Sequence, residues 1–294
     1  MKKALVIFLV LVMALLASCK NQATLVDKGE YTVTKEGSDY KIFRIDGEEE
    51  QEEIYTTITV NGDWLYYGAT DGKVYKIQTN GRQRTLLFDA QPFFTYDDDA
   101  VNYLYAFGET VFFRCDGFML YKYDCATKKT KLIYWDARRI RINDGKMYLL
   151  GKDYSIFEMA LSGNEPTAIL SSKREGVNEE AWTDIYKDLI FVDNVMYYYK
   201  RNTDGLYKFQ NGQSTLIDNT PSFTDYGLLE YENILYYTVY ENGTVWKLKE
   251  YNPVTNAINT ISIIEDYKNL SGSISNGIFI YLTESGDVLQ IKIK

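Results

Sequence analysis

A repeat that occurs seven times is the feature that most restricts the fold of this chain. Each copy has an aromatic-rich run, a turn with glycine, an aromatic–charged–apolar triplet, a second turn and a short apolar run. A period of about 40 to 45 residues with four short strands is typical of a β-propeller blade. The triplets recur about every 41 residues on average, and they begin at Phe43, Tyr75, Tyr121, Phe157, Tyr207, Trp246 and Leu289.

The physical chemistry of one copy agrees with this fold class, which is all-β with four-stranded antiparallel blades. A single small sheet cannot bury both faces, whereas blades stacked around an axis bury each face against a neighbour. Tyr75 and Ile77 alternate with Lys76, so the two apolar side chains share one face. The alternatives are a β-solenoid, which has shorter and more regular repeats, and a β-sandwich, which does not repeat its hairpin chemistry in this way.

The copies predict a propeller over residues 29–294 with seven blades, and six blades are the alternative. The last copy lacks its fourth strand, and Ala23–Val26 can supply it. Pairing of the N-terminal and C-terminal strands would close the ring and remove two free sheet edges. Residues 19–28 would then form a short tether and the closing strand.

Tyrosine contributes 27 of the 294 residues, and its ring favours pleated, half-buried strands. The second copy reads Tyr66-Tyr67, then a turn at Gly72, then Tyr75-Lys76-Ile77 and Asn80-Gly81. Asp-Gly and Asn-Gly pairs are the strongest local signal for a tight β-hairpin turn.

This pattern resembles the bacterial DUF5050-type domain, which is described as similar to the β-propeller of low-density-lipoprotein-receptor-related proteins. The eukaryotic propellers carry a Tyr-Trp-Thr-Asp motif, and the nearest matches here, Leu65–Tyr67 and Leu235–Tyr237, lack the full motif. The resemblance covers most of residues 29–294 and implies a propeller fold. By analogy with the eukaryotic members, it also implies binding of protein ligands.

The N-terminus is predicted to be a lipoprotein signal peptide over residues 1–18. Two lysines precede an apolar run, Ala4–Leu16, that is too short to span a bilayer and has the length of a signal-peptide core. The run ends in Leu16, Ala17, Ser18 and Cys19, which resembles the bacterial lipobox. The resemblance implies acylation of Cys19 and cleavage before it, and two or more acyl chains anchor a protein stably to a membrane. The alternative is an ordinary signal peptide with an incidental cysteine.

Composition excludes several classes of function. Histidine is absent, which removes Ser-His-Asp and Cys-His nucleophile systems and every His-ligated metal site. The net charge of −9 makes the chain a poor nucleic-acid binder, because binding depends on cationic side chains that neutralise the phosphates. Asp97–Asp99 lack the spacing of a calcium-binding loop. We therefore predict no metal site, no cofactor and no nucleic-acid partner.

Cys115 and Cys125 are predicted to be unpaired. If Asp116-Gly117 is a two-residue hairpin turn, Cys115 lies opposite Phe118 and Cys125 lies near Gly108, several residues from Cys115. That separation argues against a cross-strand disulfide, although an exported protein can form one.

The long links between blades are predicted to lie on one face, together with the turns between second and third strands. Binding residues are often found on loops that a rigid scaffold positions. The links cover residues 88–100, 134–141, 171–187, 218–229 and 262–271. From them we select six candidate ligand-binding residues: Trp135, Arg138, Arg139, Trp182, Phe94 and Tyr96.

Trp135 beside Arg138 and Arg139 suggests a platform for an anionic or aromatic ligand. The alternative is that Trp135 is a core aromatic and the arginines are solvated. Trp182 lies in the run Asn178–Trp182, which is predicted to begin a short helix capped by Asn178. Its ring either covers the core or stacks on a ligand. Phe94 and Tyr96 precede three aspartates, and aromatic rings beside carboxylates can bind sugars.

These observations predict a lipid-anchored protein on the outer side of a cell membrane, facing the extracellular or periplasmic space. The predicted function is non-catalytic binding of a protein or glycan by the loop-rich face. A second hypothesis is a scaffold in a membrane assembly complex, as in propeller lipoproteins of the outer-membrane assembly machinery. The alternative is a carbohydrate-active enzyme that depends on paired carboxylates, because carboxylates are plentiful.

Overall fold

The computed structural model forms two compact units, residues 1–135 and 136–294. Nearly all of its regular structure is β-strand. The structure describes residues 30–36, 39–46, 49–53, 55–94, 100–115, 118–162, 165–175, 181–183, 185–201, 205–219, 223–241, 245–264, 272–283, 285 and 287–293. The predicted signal peptide, Cys19 and the closing strand Ala23–Val26 lie outside these residues.

The first unit contains three antiparallel sheets, each built from strands that follow one another in the sequence. The first sheet has β1 (Glu30–Glu36), β2 (Asp39–Asp46) and β3 (Glu49–Glu52). The second sheet has β4 (Tyr55–Asn61), β5 (Trp64–Ala69), β6 (Lys73–Gln78) and β7 (Thr85–Asp89), followed by a 3-10 turn at Gln91–Phe93. The third sheet has β8 (Tyr103–Phe107), β9 (Thr110–Arg114), β10 (Leu120–Asp124) and β11 (Lys129–Tyr134).

The second unit contains four further sheets of the same kind and one short ribbon. The fourth sheet has β12 (Arg139–Asn143), β13 (Lys146–Leu150), β14 (Ile156–Ala160) and β15 (Thr167–Leu170), and the ribbon has β16 (Lys173–Glu175) and β17 (Ala181–Thr183). The fifth sheet has β18 (Tyr186–Val192), β19 (Val195–Lys200), β20 (Gly205–Gln210) and β21 (Gln213–Asp218). The sixth has β22 (Phe223–Tyr231), β23 (Ile234–Glu241), β24 (Val245–Asn252) and β25 (Ala257–Ile264), and the seventh has β26 (Ser273–Ser275), β27 (Ile278–Leu282) and β28 (Val288–Lys292).

The seven sheets agree with the seven predicted blades. Five have four strands, and within the described residues the first and seventh have three. From the second sheet onward, the first strand of one sheet contacts the first strand of the next within each unit, as β4 contacts β8 and β18 contacts β22. The sheets therefore stack side by side along their first strands, as blades do.

The paired tyrosines explain how each sheet buries both faces. In β5, Tyr67 packs in the core between the first and second sheets, whereas Tyr66 packs in the core between the second and third. In β23, Tyr237 faces the fifth sheet and Tyr236 faces the seventh. Because successive strand residues point to opposite faces, a Tyr-Tyr pair supplies one large ring to each of two neighbouring cores.

The structure also confirms which loops share a side of each sheet. The segment after β7 lies against the β5–β6 turn, where the Ala90 amide donates to the Gly72 carbonyl over 2.9 Å. The segment after β15 lies against the β13–β14 turn, where the Ser172 amide donates to the Ser155 hydroxyl over 2.9 Å. The side formed by these turns and links is called the loop-rich side below.

Two local predictions need correction. Cys115 and Cys125 are not joined by a disulfide, but the register of β9 and β10 is displaced by one residue from a two-residue turn, because Arg114 pairs with Leu120. Cys125 therefore donates its amide to Glu109 and not to Gly108. Trp182 lies on β17 opposite Arg174, so the backbone there is strand and not helix. Pairing with β16 supplies backbone hydrogen bonds that a short capped helix would otherwise have to make internally.

Within the described part of the chain, no helix has the length and hydropathy needed to span a bilayer.

Candidate functional site

A buried arginine organises the space between the first two sheets. Arg84 lies just before β7, and only 8% of its side chain is exposed. Its guanidinium forms an ion pair with Glu53, which follows β3, and its Nε donates to the Tyr67 hydroxyl over 2.6 Å. Tyr67 in turn donates to Glu53 Oε2 over 3.0 Å. The three groups satisfy one another, which is the condition under which a buried charge is tolerated.

Aromatic rings surround the same guanidinium. Its Cζ lies 3.7 Å from the ring centroid of Tyr75 and 4.9 Å from that of Tyr31. Tyr75 also stacks on Tyr67 with ring centroids 5.6 Å apart. A cation over a desolvated ring gains about 2 kcal/mol, so Arg84 joins the first and second sheets by both charge and stacking.

A cleft of about 470 Å³ opens above this arginine, in the size range of small-molecule sites. Residues of the first sheet form one wall, and β5, the β5–β6 turn and β6 form the other. The lining is almost entirely polar or aromatic, with Ala69 as its one aliphatic residue. It comprises Tyr31, Arg44, Gln51, Glu52, Glu53, Ala69, Thr70, Asp71, Tyr75 and Arg84.

The ionisation of the lining follows from these contacts. Burial raises the pKa of Tyr67 far above its usual value, with Arg84 opposing and Glu53 adding to the shift, so the hydroxyl stays protonated. Partial burial acts to raise the pKa of Asp71, but hydrogen bonds from the Lys73 side chain and amide outweigh it and lower that pKa. Asp71 is therefore an ionised acceptor, held by Lys73 Nζ at 2.8 Å and by the Tyr75 hydroxyl at 3.2 Å.

A second charged site lies on the first strands of the second unit. Asp188 on β18 is buried, with Arg139 Nε at 3.5 Å and Arg141 Nη2 at 3.9 Å from its Oδ1. The amides of Leu189 and Leu228 donate to its two oxygens over 2.9 and 3.4 Å. This carboxylate thus links the fourth, fifth and sixth sheets. Burial raises the pKa of Asp188, and the two arginines oppose that shift.

Two further cations lie near the ring of Tyr154, which stands in the β13–β14 turn on the loop-rich side. Arg138 lies 4.8 Å from the ring centroid of Tyr154, and Lys187 lies 5.3 Å from it. Tyr154 has a φ of 61°, a conformation that a bulky side chain seldom adopts and that is found at functional sites. The four cations Arg138, Arg139, Arg141 and Lys187 are called the basic cluster below.

The six predicted ligand-binding residues do not form one site. Arg138 and Arg139 belong to the basic cluster, in the second unit. Trp135 ends the first unit and is 72% exposed, so the alternative that it is a core aromatic is wrong. Phe94 packs, half-buried, against the core between the second and third sheets. The side chain of Trp182 and all of Tyr96 lie outside what the structure describes.

The arginines are partly solvated, as the alternative has it, but Arg139 and Arg141 also face a buried carboxylate. Sequence analysis missed that carboxylate and the cleft. Asp188 had a weak signal, since it directly precedes the apolar run Leu189–Val192 of β18. Arg84 had none, because its partners Tyr31 and Glu53 lie far from it in the sequence. Within the described residues, no three acidic or cysteine side chains are grouped to hold a metal ion.

Comparison with known proteins gave no match to a family model and none to a curated protein sequence. Among solved structures, BamB from Moraxella catarrhalis is 10% identical and has a TM-score of 0.51, with 90% of this chain and 88% of BamB covered. BamB is a β-propeller protein. The fold of this chain is a β-propeller.

Two other solved structures have lower TM-scores. An oligogalacturonate lyase in complex with manganese is 12% identical, with a TM-score of 0.49 and coverage of 90% of this chain and 82% of the lyase. A computationally designed protein is 11% identical, with a TM-score of 0.46 and coverage of 92% and 98%. Neither of these similarities bears on function, which has to be argued from the site.

Proposed function

We propose that this chain is a lipid-anchored protein of the cell envelope whose propeller binds a protein or glycan partner without converting it chemically. The lipobox Leu16–Cys19 supports the anchor, because it follows a charged start and an apolar run of signal-peptide length. Loop-rich faces of rigid scaffolds are frequent binding surfaces, and the basic cluster stands on such a face.

The observation that carries the proposal is the basic cluster itself. In a chain with a net charge of −9, four cations lie on β12, on β18 or next to these strands: two face Asp188, and two lie near the ring of Tyr154, one of them also paired with Asp136. A guanidinium has five N–H donors in a fixed fork that suits carboxylates and phosphates. The cluster therefore favours a partner that presents anionic groups.

Two of the three carboxylates that line the cleft are poorly suited to act as the general acid of a hydrolase. A glycosidase needs one carboxyl group whose raised pKa lets it act as a general acid. In the cleft, hydrogen bonds from Lys73 lower the pKa of Asp71, and Glu53 is engaged by Arg84 and Tyr67. The alternative function, a carbohydrate-active enzyme, remains distinguishable by turnover.

Crosslinking in living cells, followed by capture of the lipidated protein and mass spectrometry, tests the proposal. We expect one enriched protein or glycan partner, and we expect Arg138→Ala/Arg139→Ala to reduce its capture about tenfold or more. Lys146→Ala is the matched control, because Lys146 is an exposed cation at the other end of the fourth sheet. Cys19→Ala shows whether capture depends on the anchor.

Two outcomes would contradict this function. Equal capture by the double variant and the control would show that the basic cluster does not contact the partner. Turnover of a polysaccharide by the purified chain, lost on substitution of one carboxylate, would establish the enzyme alternative. A stable complex with an integral membrane protein would favour the scaffold form of the binding proposal.

A further inference from the structure

The cleft above Arg84 has features of a ligand site that the basic cluster does not share. It lies within the first unit, between the first and second sheets, and none of its lining residues belongs to the long links. Its walls are largely preformed. Asp71 accepts from the Lys73 amide at 3.0 Å, and the Asp71 carbonyl accepts from Gln91 Nε2 at 3.0 Å, which fixes the β5–β6 rim.

The floor of the cleft is equally fixed. Gly81 has a φ of 81°, and a Cβ added there would lie 2.3 Å from the Tyr31 carbonyl oxygen. Only glycine permits this approach of the β6–β7 turn to β1, so the second sheet is seated firmly against the first. A preformed site binds with less loss of conformational entropy than one that must be ordered.

The groups available to a ligand are polar and of mixed character. Arg44 on β2 and Gln51 on β3 lie opposite each other in the strand register, and both residues are exposed. Glu52 and Thr70 are exposed on either side of them. A guanidinium only donates hydrogen bonds, a carboxylate only accepts them, and amides and hydroxyls do both.

The charges of the cleft balance. Arg44, Arg84 and the rim residue Lys73 oppose the three carboxylates Glu52, Glu53 and Asp71. A strongly anionic ligand would meet these carboxylates, and a cation would meet the guanidiniums. Arg84 covers the face of Tyr75, and Tyr75 stacks on Tyr67, which disfavours an aromatic cage for a quaternary amine.

We propose that this cleft binds a neutral saccharide, through the exposed Arg44, Gln51, Glu52 and Thr70 above the fixed Arg84 floor. Neighbouring hydroxyls of a pyranose ring both donate and accept hydrogen bonds, which matches donors and acceptors placed side by side. The lining has almost no aliphatic surface to receive an apolar ligand. The site is separate from the basic cluster, so either can fail without the other.

Saturation-transfer NMR and calorimetry on the full chain in detergent micelles test this site. The probes are cellobiose, maltose and lactose, with glucuronic acid and glucosamine as charged comparisons. We expect at least one neutral disaccharide to bind and the charged sugars to bind more weakly. Arg44→Ala/Gln51→Ala should weaken the neutral sugar about tenfold, as expected for the loss of one or two hydrogen bonds to charged or polar groups.

The matched control is Arg82→Ala, an exposed arginine of the same unit that does not line the cleft. It should bind the sugar as the unaltered protein does, and both variants should keep the melting temperature because the altered side chains are exposed. Arg138→Ala/Arg139→Ala should also leave sugar binding intact, which separates this proposal from the proposed function. The proposal is overturned if no neutral probe binds at millimolar concentration, if a charged sugar binds more tightly, or if the cleft variant binds like its control.

Discussion

The last tyrosine of the Leu-Tyr-Tyr run is held by a carboxylate in both units, but with a different cation. In the first unit, Tyr67 donates to Glu53 and accepts from Arg84. In the second, Tyr237 donates to Asp218 over 2.8 Å, and Lys249 Nζ contacts the same Asp218 oxygen at 3.1 Å. Each carboxylate comes from the end of the preceding sheet, so each trio ties two sheets together.

The difference lies in what else the cation contacts. The Arg84 guanidinium is broad and flat, and it covers Tyr75 and approaches Tyr31 beneath an open cleft. Lys249 is a compact ammonium, and its trio is closed, with side-chain exposures of 11% for Lys249 and 8% for Asp218. These two junctions therefore share the tyrosine and the carboxylate, whereas the cation differs with the space that each pair of sheets leaves.

Of the substitutions considered for the two trios, removal of Arg84 should cause the largest loss in the free energy of unfolding. Arg84→Ala leaves Glu53 without its cation and uncovers Tyr75, and we expect a loss of about 4 kcal/mol in the free energy of unfolding. Urea unfolding measures it, and Arg82→Ala, an exposed neighbour, should change stability by less than about 0.5 kcal/mol. A loss below about 1 kcal/mol for Arg84→Ala would mean that the arginine does not join the sheets energetically.

Substitution of Lys249 in the closed trio with Tyr237 and Asp218 should lower stability somewhat less than removal of Arg84. Lys249→Met keeps much of the volume but leaves Asp218 buried with Tyr237 as its donor, and we expect a loss of about 3 kcal/mol. Adding Asp218→Asn removes the stranded charge and should restore at least half of that loss in urea unfolding. If the double variant is no more stable than Lys249→Met, the cost comes from packing and not from charge.

The two trios also show what the sequence reveals. The Tyr-Tyr runs and Gly turns predict the sheets because each is a local pattern of strand and hairpin chemistry; at Asn211-Gly212 both residues have the positive φ expected of such a turn. The one-residue error near Cys115 arose because loop length was assumed from a single Asp-Gly pair. Local patterns determine which strands form, and they are weaker at fixing register.

The sites are harder to predict because their partners are distant in sequence. Glu53 and Arg84 belong to different sheets, and nothing in the composition around either residue marks it. Asp188 is a partial exception, because it directly precedes the apolar run Leu189–Val192, and a charge buried beside such a run must be compensated. A search for charges at the start of apolar strands would have found it, together with the neighbouring Lys187.

Alkaline pH should weaken both trios. Burial is the largest cause of the raised pKa of Tyr67 and of Tyr237, so both stay protonated in the folded protein while unfolded tyrosines ionise near pH 10. The folded state then holds more protons, and stability falls as pH rises above about 10, by about 1.4 kcal/mol per pH unit for each group. Unfolded tyrosines are only partly ionised between about pH 10 and 11, so Tyr67→Phe and Tyr237→Phe should each reduce the loss of stability over that interval by about 1 kcal/mol. An unchanged slope in either variant would show that the hydroxyl ionises without unfolding.

Substitution at the rim of the cleft should cause the smallest loss of stability. It should be far smaller than the loss caused by substitution of Arg84 in the floor. The pKa of Asp71 is lowered below 3.8, so its pair with Lys73 stabilises the fold above that pH, and the contribution is lost as pH falls through the folded-state pKa. Because both side chains are more than a third exposed, solvent screens the pair, and Asp71→Asn should lower stability at pH 7 by only a few tenths of a kcal/mol. The difference should shrink further in about 1 M salt and below pH 3. A loss as large as that of Arg84→Ala would mean that the rim residues, and not Arg84, stabilise the packing of the first sheet against the second.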